Sequence, residues 1–229
     1  MENEKFDFKE SLSKDSLKGL FSMPKAEDFD PKTFAWKSAV KKAFFGYLGA
    51  TFFNGFLAVF ITLLLVAIFG YGYILSLLFL PILFGIIALA GYIFYFLGIK
   101  EMKDVAAGTS WEKPTNNLFI GAILGLVSVI IDFIPLMGWL ASIIAIVGFV
   151  FSLLAYNELR QVKSSSKLAS GAKLLFIASI VGIAGAVFSI IIGWVPVVNV
   201  VFELLFGLAT LVLTFFGWKA ISESEFNPA

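Results

Sequence analysis

Long apolar stretches dominate the pattern of this chain. From Phe44 to Ile99 there is no charged side chain over 56 residues. A helix that crosses a bilayer needs roughly 20 apolar residues, because each adds about 1.5 Å and the hydrocarbon core is about 30 Å thick. This stretch is too long for one crossing and predicts two transmembrane helices, with Gly70-Tyr71-Gly72 as the turn between them.

Two further apolar stretches follow the same plan. Residues 117–157 are interrupted by the sequence PLMG, and residues 172–218 are interrupted by GWVP. Each stretch therefore predicts two more crossings. The predicted fold is all-α, a polytopic integral membrane protein with six transmembrane helices. The predicted parts are a cytoplasmic lead-in at 1–42 and a membrane domain at 43–229, made of three tandem helical hairpins at 43–100, 117–160 and 172–220.

The lead-in predicts an interfacial helix that runs into the first span. Asp30 is a good N-cap and Pro31 a good first helical residue. Apolar and aromatic residues then recur at helical spacing, with lysines beside them. This pattern is typical of an amphipathic helix at a membrane surface. The residues of that face are Trp36, Val40, Ala43 and Tyr47. Leu12 and Phe21 belong to a second apolar group, which either contacts the membrane or a partner or is a tail without a role.

The three hairpins resemble one another. Residues 86–104 align without gaps to residues 143–161 with seven of nineteen positions identical, and 118–125 align to 175–182 with five of eight identical. The predicted unit is one hairpin of about 57 residues, and the repeats are parallel because each unit crosses twice. Convergent use of Leu, Ile and Gly is the alternative explanation.

Basic residues indicate the orientation. All seventeen lie before the first span, between spans two and three, between spans four and five, or after span six. Because lysine and arginine collect in cytoplasmic loops, both termini are predicted to be cytoplasmic. Indole side chains prefer the headgroup zone. The tryptophans predicted at the interfaces are Trp36 and Trp218 on the inner side and Trp139 and Trp194 on the outer side.

Composition excludes several classes of function. The chain is 59% hydrophobic and 14% charged, against about 45–50% and about 25% for soluble domains. It contains no Cys and no His, which removes thiol nucleophiles and the usual zinc and haem ligands. Its net charge of +1 gives no reason to expect nucleic acid as a partner. No phosphate loop or catalytic triad is found, so neither an enzyme nor a cofactor is predicted.

Small residues at helical spacing predict close helix packing, since lipid offers no hydrophobic drive for association between helices. We interpret this packing as intramolecular, with oligomerisation as the alternative. The glycines concerned are Gly91, Gly121, Gly125, Gly148 and Gly182.

Four polar residues inside the spans form the candidate site. Glu203 lies in span six, and a carboxylate there is costly unless it is paired or near water. Asp132 is expected at a similar depth, so the two could share a cation or an amine. Alternatively Glu203 is protonated or bonded to Asn199, and Asp132 is wetted by headgroups. Asn54 lies mid-span, where an amide commonly bonds to a neighbouring helix.

Three short motifs resemble bacterial members of the Yip family of multi-span proteins. The chain has LFSMP at 20–24 in its lead-in, IPLMG at 134–138 and NELR at 157–160. The resemblance implies a membrane fold and no catalytic role. Six predicted spans exceed the five usual in that family.

We expect a non-enzymatic accessory or scaffold subunit that packs against a larger membrane complex or organises lipid. Its partners would be the lipid bilayer and a membrane protein or further copies of the chain. The alternative is a small transporter or channel that uses Glu203 and Asp132. Sixteen lysines against one arginine favour an AT-rich prokaryotic genome, and the bacterial inner membrane is the expected location.

The topology predicts which residues are accessible from outside the cell. Because the chain has no native cysteine, single cysteines at Tyr71, Met137 and Val197 should react with an impermeant maleimide added to intact cells. A cysteine at Ser165 should react only after lysis. Labelling at Ser165 with protection at the other three positions would reverse the orientation.

Overall fold

A computed structural model describes residues 12–13, 18–19, 21–22, 24–52, 61, 68, 74–132, 134, 136–192 and 196–228, with the backbone alone at 74–82, 132, 138, 186, 189–192, 196–200 and 203. Across these residues the protein is all-helical, with six α-helices after a 3-10 turn at Ala26–Asp28. The helices are α1 (Pro31–Thr51), α2 (Ile74–Ala106), α3 (Glu112–Asp132), α4 (Gly138–Leu159), α5 (Ser166–Ile192) and α6 (Pro196–Ser222).

Five of these helices contain segments long and apolar enough to cross a membrane, which indicates a multi-pass membrane protein. The segments are Leu83–Ala106, Glu112–Ile131, Trp139–Leu159, Ser166–Gly185 and Leu204–Ser222. Much of the first predicted span, including residues 53–60 and 62–67, lies outside the described residues.

The beginning of α1 follows the predicted capping chemistry. The Asp30 side chain accepts hydrogen bonds from the backbone N–H groups of Lys32 and Thr33, at 3.0 and 3.1 Å. Two donors that have no partner within the helix are thereby satisfied. The helix continues without interruption to Thr51, so the predicted boundary at residue 42 falls inside one helix.

Other helices extend further at their polar ends than the hydrophobic pattern predicts. Helix α2 ends at Ala106 rather than at residue 100, α3 begins at Glu112 rather than 117, and α5 begins at Ser166 rather than 172. The added turns carry lysine and glutamate, which propagate a helix well but interrupt an apolar pattern. Hydropathy therefore marks the lipid-soluble part of each helix and not its full length.

The helices pack most extensively in sequential pairs, α1 with α2, α3 with α4, and α5 with α6. Smaller contacts join α2 to α3, α4 to α5, and α1 to α6. The six helices therefore form a closed ring in which each helix contacts its neighbours in the chain and the last helix returns to the first.

A reciprocal glycine contact lies in each sequential pair. A Cβ atom built on Gly91 would lie 2.9 Å from the Gly46 carbonyl oxygen, and one on Gly148 would lie 3.0 Å from that of Gly121. In the third pair, a Cβ atom on Gly171 would lie 2.5 Å from the Gly217 carbonyl oxygen. Such contacts leave no space for a side chain, so they allow the two backbones to approach closely.

Two glycines of the predicted packing set have other surroundings. A Cβ atom on Gly125 would overlap the Tyr92 hydroxyl, so this glycine makes room for a tyrosine. A Cβ atom on Gly182 would meet only the Thr210 Oγ1 atom, at 4.0 Å, which is ordinary van der Waals contact.

Charged side chains gather where α1, α3 and α5 begin and where α2, α4 and α6 end, which we call the charged end. All five ion pairs among the described residues lie there. In one of them the Lys219 ammonium nitrogen lies 2.6 Å from a Glu223 carboxylate oxygen, although the Lys219 side chain is only 1% exposed. The other pairs are Lys42–Glu101, Lys100–Asp104, Lys113–Glu158 and Lys167–Glu223.

Buried aromatic rings close the charged end. Trp36, Trp111 and Trp218 are each 0% exposed. The Trp36 ring lies 5.1 Å from that of Trp111 and 5.5 Å from that of Phe226. The Trp36 indole N–H donates to the Ser224 hydroxyl at 3.2 Å. The layer joins the beginning of α1 to the segment after α6.

This burial differs from the expected role of two tryptophans. Trp36 and Trp218 lie at the charged end, but their rings are in the protein interior and are not exposed to a surrounding interface. Burial removes more apolar area from water than an interfacial position would. Trp139, at the other end, is 65% exposed, and Trp194 lies outside the described residues.

The glycine contacts predict opposite effects from the same substitution at two positions. Gly91→Ala should lower the free energy of unfolding by about 1–3 kcal/mol, because the new methyl group would meet the α1 backbone. Gly207→Ala should raise it by up to about 1 kcal/mol, because nothing lies near that position and alanine favours helix. Thermal unfolding in detergent, followed by tryptophan fluorescence, measures both; equal shifts would contradict the close contact.

Candidate functional site

A cavity of about 680 Å³ lies between the helices. Small residues create the space, because they leave room between backbones that already lie close together. These are Ala50 on α1, Gly85 and Ala88 on α2, Gly121 and Gly125 on α3, and Ala145 and Gly148 on α4. The lining of α2 runs from Gly85 to Tyr95, which is roughly 15 Å along the helix axis.

Four tyrosines from three helices line this cavity, and we call them the tyrosine cluster: Tyr47, Tyr92, Tyr95 and Tyr156. The Tyr95 ring lies 5.4 Å from Tyr47 and 5.5 Å from Tyr92, in edge-to-face arrangements. Such arrangements are favourable because the positive edge of one ring meets the negative face of the other. The cluster joins α1, α2 and α4 around one space.

Two members of the tyrosine cluster are almost fully buried, since Tyr95 and Tyr156 are only 3% and 6% exposed. Buried hydroxyls usually find a partner, and the hydroxyls of Tyr95 and Tyr156 lie near enough to interact with each other. The Tyr47 hydroxyl interacts with the side chains of Thr51 and Thr214. The contact with Thr214 links α1 to α6.

Three serines line the rest of the cavity, and each donates its proton to a backbone carbonyl. Ser128 donates to Ala141 at 2.9 Å, Ser152 to Gly148 at 3.1 Å, and Ser179 to Leu175 at 2.9 Å. A hydroxyl that donates in this way keeps its oxygen lone pairs as acceptors. The cavity therefore offers hydrogen-bond acceptors to a ligand.

The described lining contains no charged side chain. Within the part of the chain that the structure describes, no group of three His, Cys, Asp or Glu residues is placed to hold a metal ion. Toward the charged end, the next layer is the buried aromatic core, with the Tyr95 ring 6.1 Å from that of Trp218. The polar groups of the described lining are uncharged hydroxyls and therefore suited to an uncharged molecule.

The polar residues predicted as the site fall largely outside the described part of the chain. Asp132 is the last residue of α3, while Asn199 and Glu203 lie in the first turns of α6. The side chains of these three residues, and Asn54 entirely, lie outside the described residues. The backbones of Asp132, Asn199 and Glu203 lie toward the end of the bundle opposite the charged end.

Sequence reasoning missed the tyrosine cluster. Tyrosine is enriched at the two membrane interfaces, yet Tyr92 lies well inside a predicted span. The chain has six tyrosines, and four of them line the cavity. Tyrosine inside a span, together with small residues on neighbouring helices, is the pattern that would have indicated this site.

No protein family, curated protein or solved structure matches this chain. The resemblance to the Yip family therefore depends on the three short motifs alone and stays a prediction.

Proposed function

We propose that this chain is a non-enzymatic protein of the bacterial inner membrane that binds a small uncharged solute in the cavity between its helices. The observation that carries the proposal is the cavity itself, lined by hydroxyls and small residues. Its volume of about 680 Å³ falls within the range of small-molecule sites, which is about 300–1,000 Å³.

The lining favours one class of solute. A charged ligand would lose its hydration on entering the cavity, and the described lining residues carry no opposite charge to compensate for this. Burial of an unpaired charge is costly. Serine hydroxyls that already donate to carbonyls accept further hydrogen bonds. A neutral molecule that carries hydroxyl or amide groups is the complementary ligand.

The proposed topology has six spans in three tandem hairpins, with both termini in the cytoplasm. The sequential packing of the helices supports the hairpins. Gly91 and Gly148, which the alignment of residues 86–104 with 143–161 superposes, each make a close glycine contact, and this supports a common origin of the first two hairpins. The gathering of ion pairs at the charged end supports its position in the cytoplasm. An amphipathic lead-in would lie along this face.

Transport is a natural extension of solute binding. The aromatic core separates the cavity from the charged end, so passage would require Tyr95 and Trp218 to move apart. Asp132 and Glu203 would then lie on the path toward the other side of the membrane, as the transporter hypothesis requires.

The cavity predicts selective stabilisation by neutral solutes. Glycerol and acetamide should raise the unfolding temperature of the purified protein in detergent more than ethanolammonium or acetate at equal concentration, because a ligand that binds only the native state stabilises it. Tryptophan fluorescence measures the transition.

Ala88→Leu should abolish this selective shift, because Ala88 is 6% exposed and lines the cavity. Ala209→Leu adds the same side chain at an exposed position of α6 and should leave the shift unchanged. A shift that is equal for charged and neutral solutes, or that survives in Ala88→Leu, would contradict the proposal.

An accessory subunit is the second candidate, favoured by the outer face of α4. Its exposed aliphatic side chains recur at helical spacing over more than two turns, as a partner helix or lipid requires. They are Ile143, Ile146, Val147, Val150 and Leu154.

The accessory role predicts a membrane-protein partner whose binding depends on this face of α4. Purification in mild detergent followed by mass spectrometry should recover a second membrane protein in stoichiometric amount, and Val147→Trp should reduce its recovery. Val187→Trp, at a similarly exposed position of α5, should not. Recovery of this chain alone would exclude the accessory role under these conditions.

A further inference from the structure

Two pockets lie along the contact between α1 and α6, at neighbouring heights. On α1, the residues that line them follow one another at intervals of four: Lys37, Lys41, Phe45 and Gly49. Residues at this spacing lie on one face of a helix. This face is polar near the charged end and apolar beyond it, as at the boundary between headgroups and hydrocarbon.

The first pocket, which we call the lysine pocket, has a volume of about 520 Å³. Its described lining includes four lysines and two carboxylates, those of Asp28 and Glu223. Glu223 pairs with Lys167 at 3.8 Å and also with Lys219 at 2.6 Å. Among the described lining residues, positive charge is therefore in excess within a concave space. The four lysines are Lys25, Lys37, Lys41 and Lys167.

Two of these lysines are held inside the protein. Lys41 is 8% exposed, and its ammonium donates to the carbonyl oxygens of Gly19, at 2.8 Å, and Ser22. The Lys37 ammonium lies 4.2 Å from the centre of the Phe29 ring. Residues before α1, including Gly19, Ser22 and Phe29, therefore form one wall of the lysine pocket, and the hydrogen bonds from Lys41 hold this wall against α1.

Burial is the main cause that lowers the pKa of both ammonium groups. For Lys37, the charge of Lys167 lowers the pKa further, while Glu225 and Glu223 act in the opposite direction. For Lys41, the charge of Lys37 lowers the pKa further, while Glu223 raises it. An anion in the lysine pocket would offset both effects.

The second pocket, which we call the apolar groove, has a volume of about 620 Å³. Both helices contribute only apolar residues to it, and Leu12 of the lead-in lies at its edge. The Phe21 ring packs 5.9 Å from that of Phe45. The lining comprises Leu12, Phe45, Leu48, Gly49, Phe52, Leu211, Val212, Phe215 and Phe216.

The two pockets are one helical turn apart on α1, since Lys41 lines one and Phe45 the other. One turn is about 5.4 Å, a distance that a phospholipid spans between its phosphate and the beginning of its acyl chains. A free phosphate would occupy the lysine pocket and leave the groove empty. A zwitterionic lipid would not use the excess of positive charge.

We propose that the contact between α1 and α6 binds one anionic phospholipid, with its phosphate in the lysine pocket and an acyl chain in the apolar groove. The site is separate from the central cavity and does not depend on the solute proposed there. Its bound lipid would lie against the lead-in, so the position of residues 12–25 would respond to lipid charge.

Native mass spectrometry of the full chain tests the proposal. The detergent-solubilised protein is titrated with phosphatidylglycerol or with phosphatidylcholine of the same chain length. We expect retention of one phosphatidylglycerol in preference to phosphatidylcholine. Lys37→Gln combined with Lys167→Gln should weaken this binding by about 25-fold, since one lysine near an anionic surface contributes about 1 kcal/mol, or about fivefold.

Further variants distinguish binding in the two pockets from a general effect of surface charge or of an added side chain. Lys100→Gln with Lys163→Gln removes the same charge outside the lysine pocket and should change binding less than twofold. Val212→Trp fills the apolar groove from a position 42% exposed and should also weaken phosphatidylglycerol binding. Val187→Trp, on α5 at a position that is 48% exposed, should not.

Three outcomes would overturn the proposal. Equal weakening by both lysine pairs would show that only the general charge of this face matters. Normal binding in Val212→Trp would show that no acyl chain lies in the groove. Competition by glycerol phosphate at the same concentration as the lipid would show that the lysine pocket takes a free phosphate ester. Tryptophan fluorescence of each variant during unfolding checks that it is folded.

Discussion

Close contact between backbones is the interaction on which this structure depends. Within hydrocarbon, apolar side chains gain nothing by leaving lipid for protein, so helices associate through tight packing and hydrogen bonds. Gly46 with Gly91, Gly121 with Gly148, and Gly171 with Gly217 give one such contact to each sequential pair. Gly121 and Gly148 also line the central cavity, so small residues border the space between the helices, and hydroxyl groups line much of the rest.

The charged end of the bundle and the region beyond it differ in polarity. At the charged end, buried tryptophans, the paired Lys219 and the lysine pocket form a dense polar and aromatic layer. Such a layer is stable beside water and headgroups, where ammonium groups are solvated. Beyond it, hydroxyls that bond to carbonyls satisfy the few polar groups. The polarity of each layer thus follows the polarity of the surrounding solvent.

The sequence predicted the helices better than it predicted their contacts. The predicted Asp30 cap is confirmed, and the apolar runs correspond to helices of which five are long and apolar enough to cross a membrane. The extra turns at Ala106 and Glu112 were missed because their side chains are charged. The tyrosine cluster was missed for another reason. A helix that is apolar on every face has little periodicity, so the pattern does not reveal which residues face inward. Only the packing of several helices brings Tyr47, Tyr95 and Tyr156 together.

The link from Trp36 to Ser224 joins residues 188 positions apart in the chain. Every sequential pair of helices can form as soon as its second member leaves the ribosome, because its glycine contact lies between neighbours. The closure of α1 against α6 must wait until synthesis is almost complete, since local contacts form before distant ones. Until that moment the lysines of α1 and the apolar surface beside them remain uncovered. During biogenesis, lipid is the first partner available to that face, and the final helix arrives at a surface that the membrane already occupies.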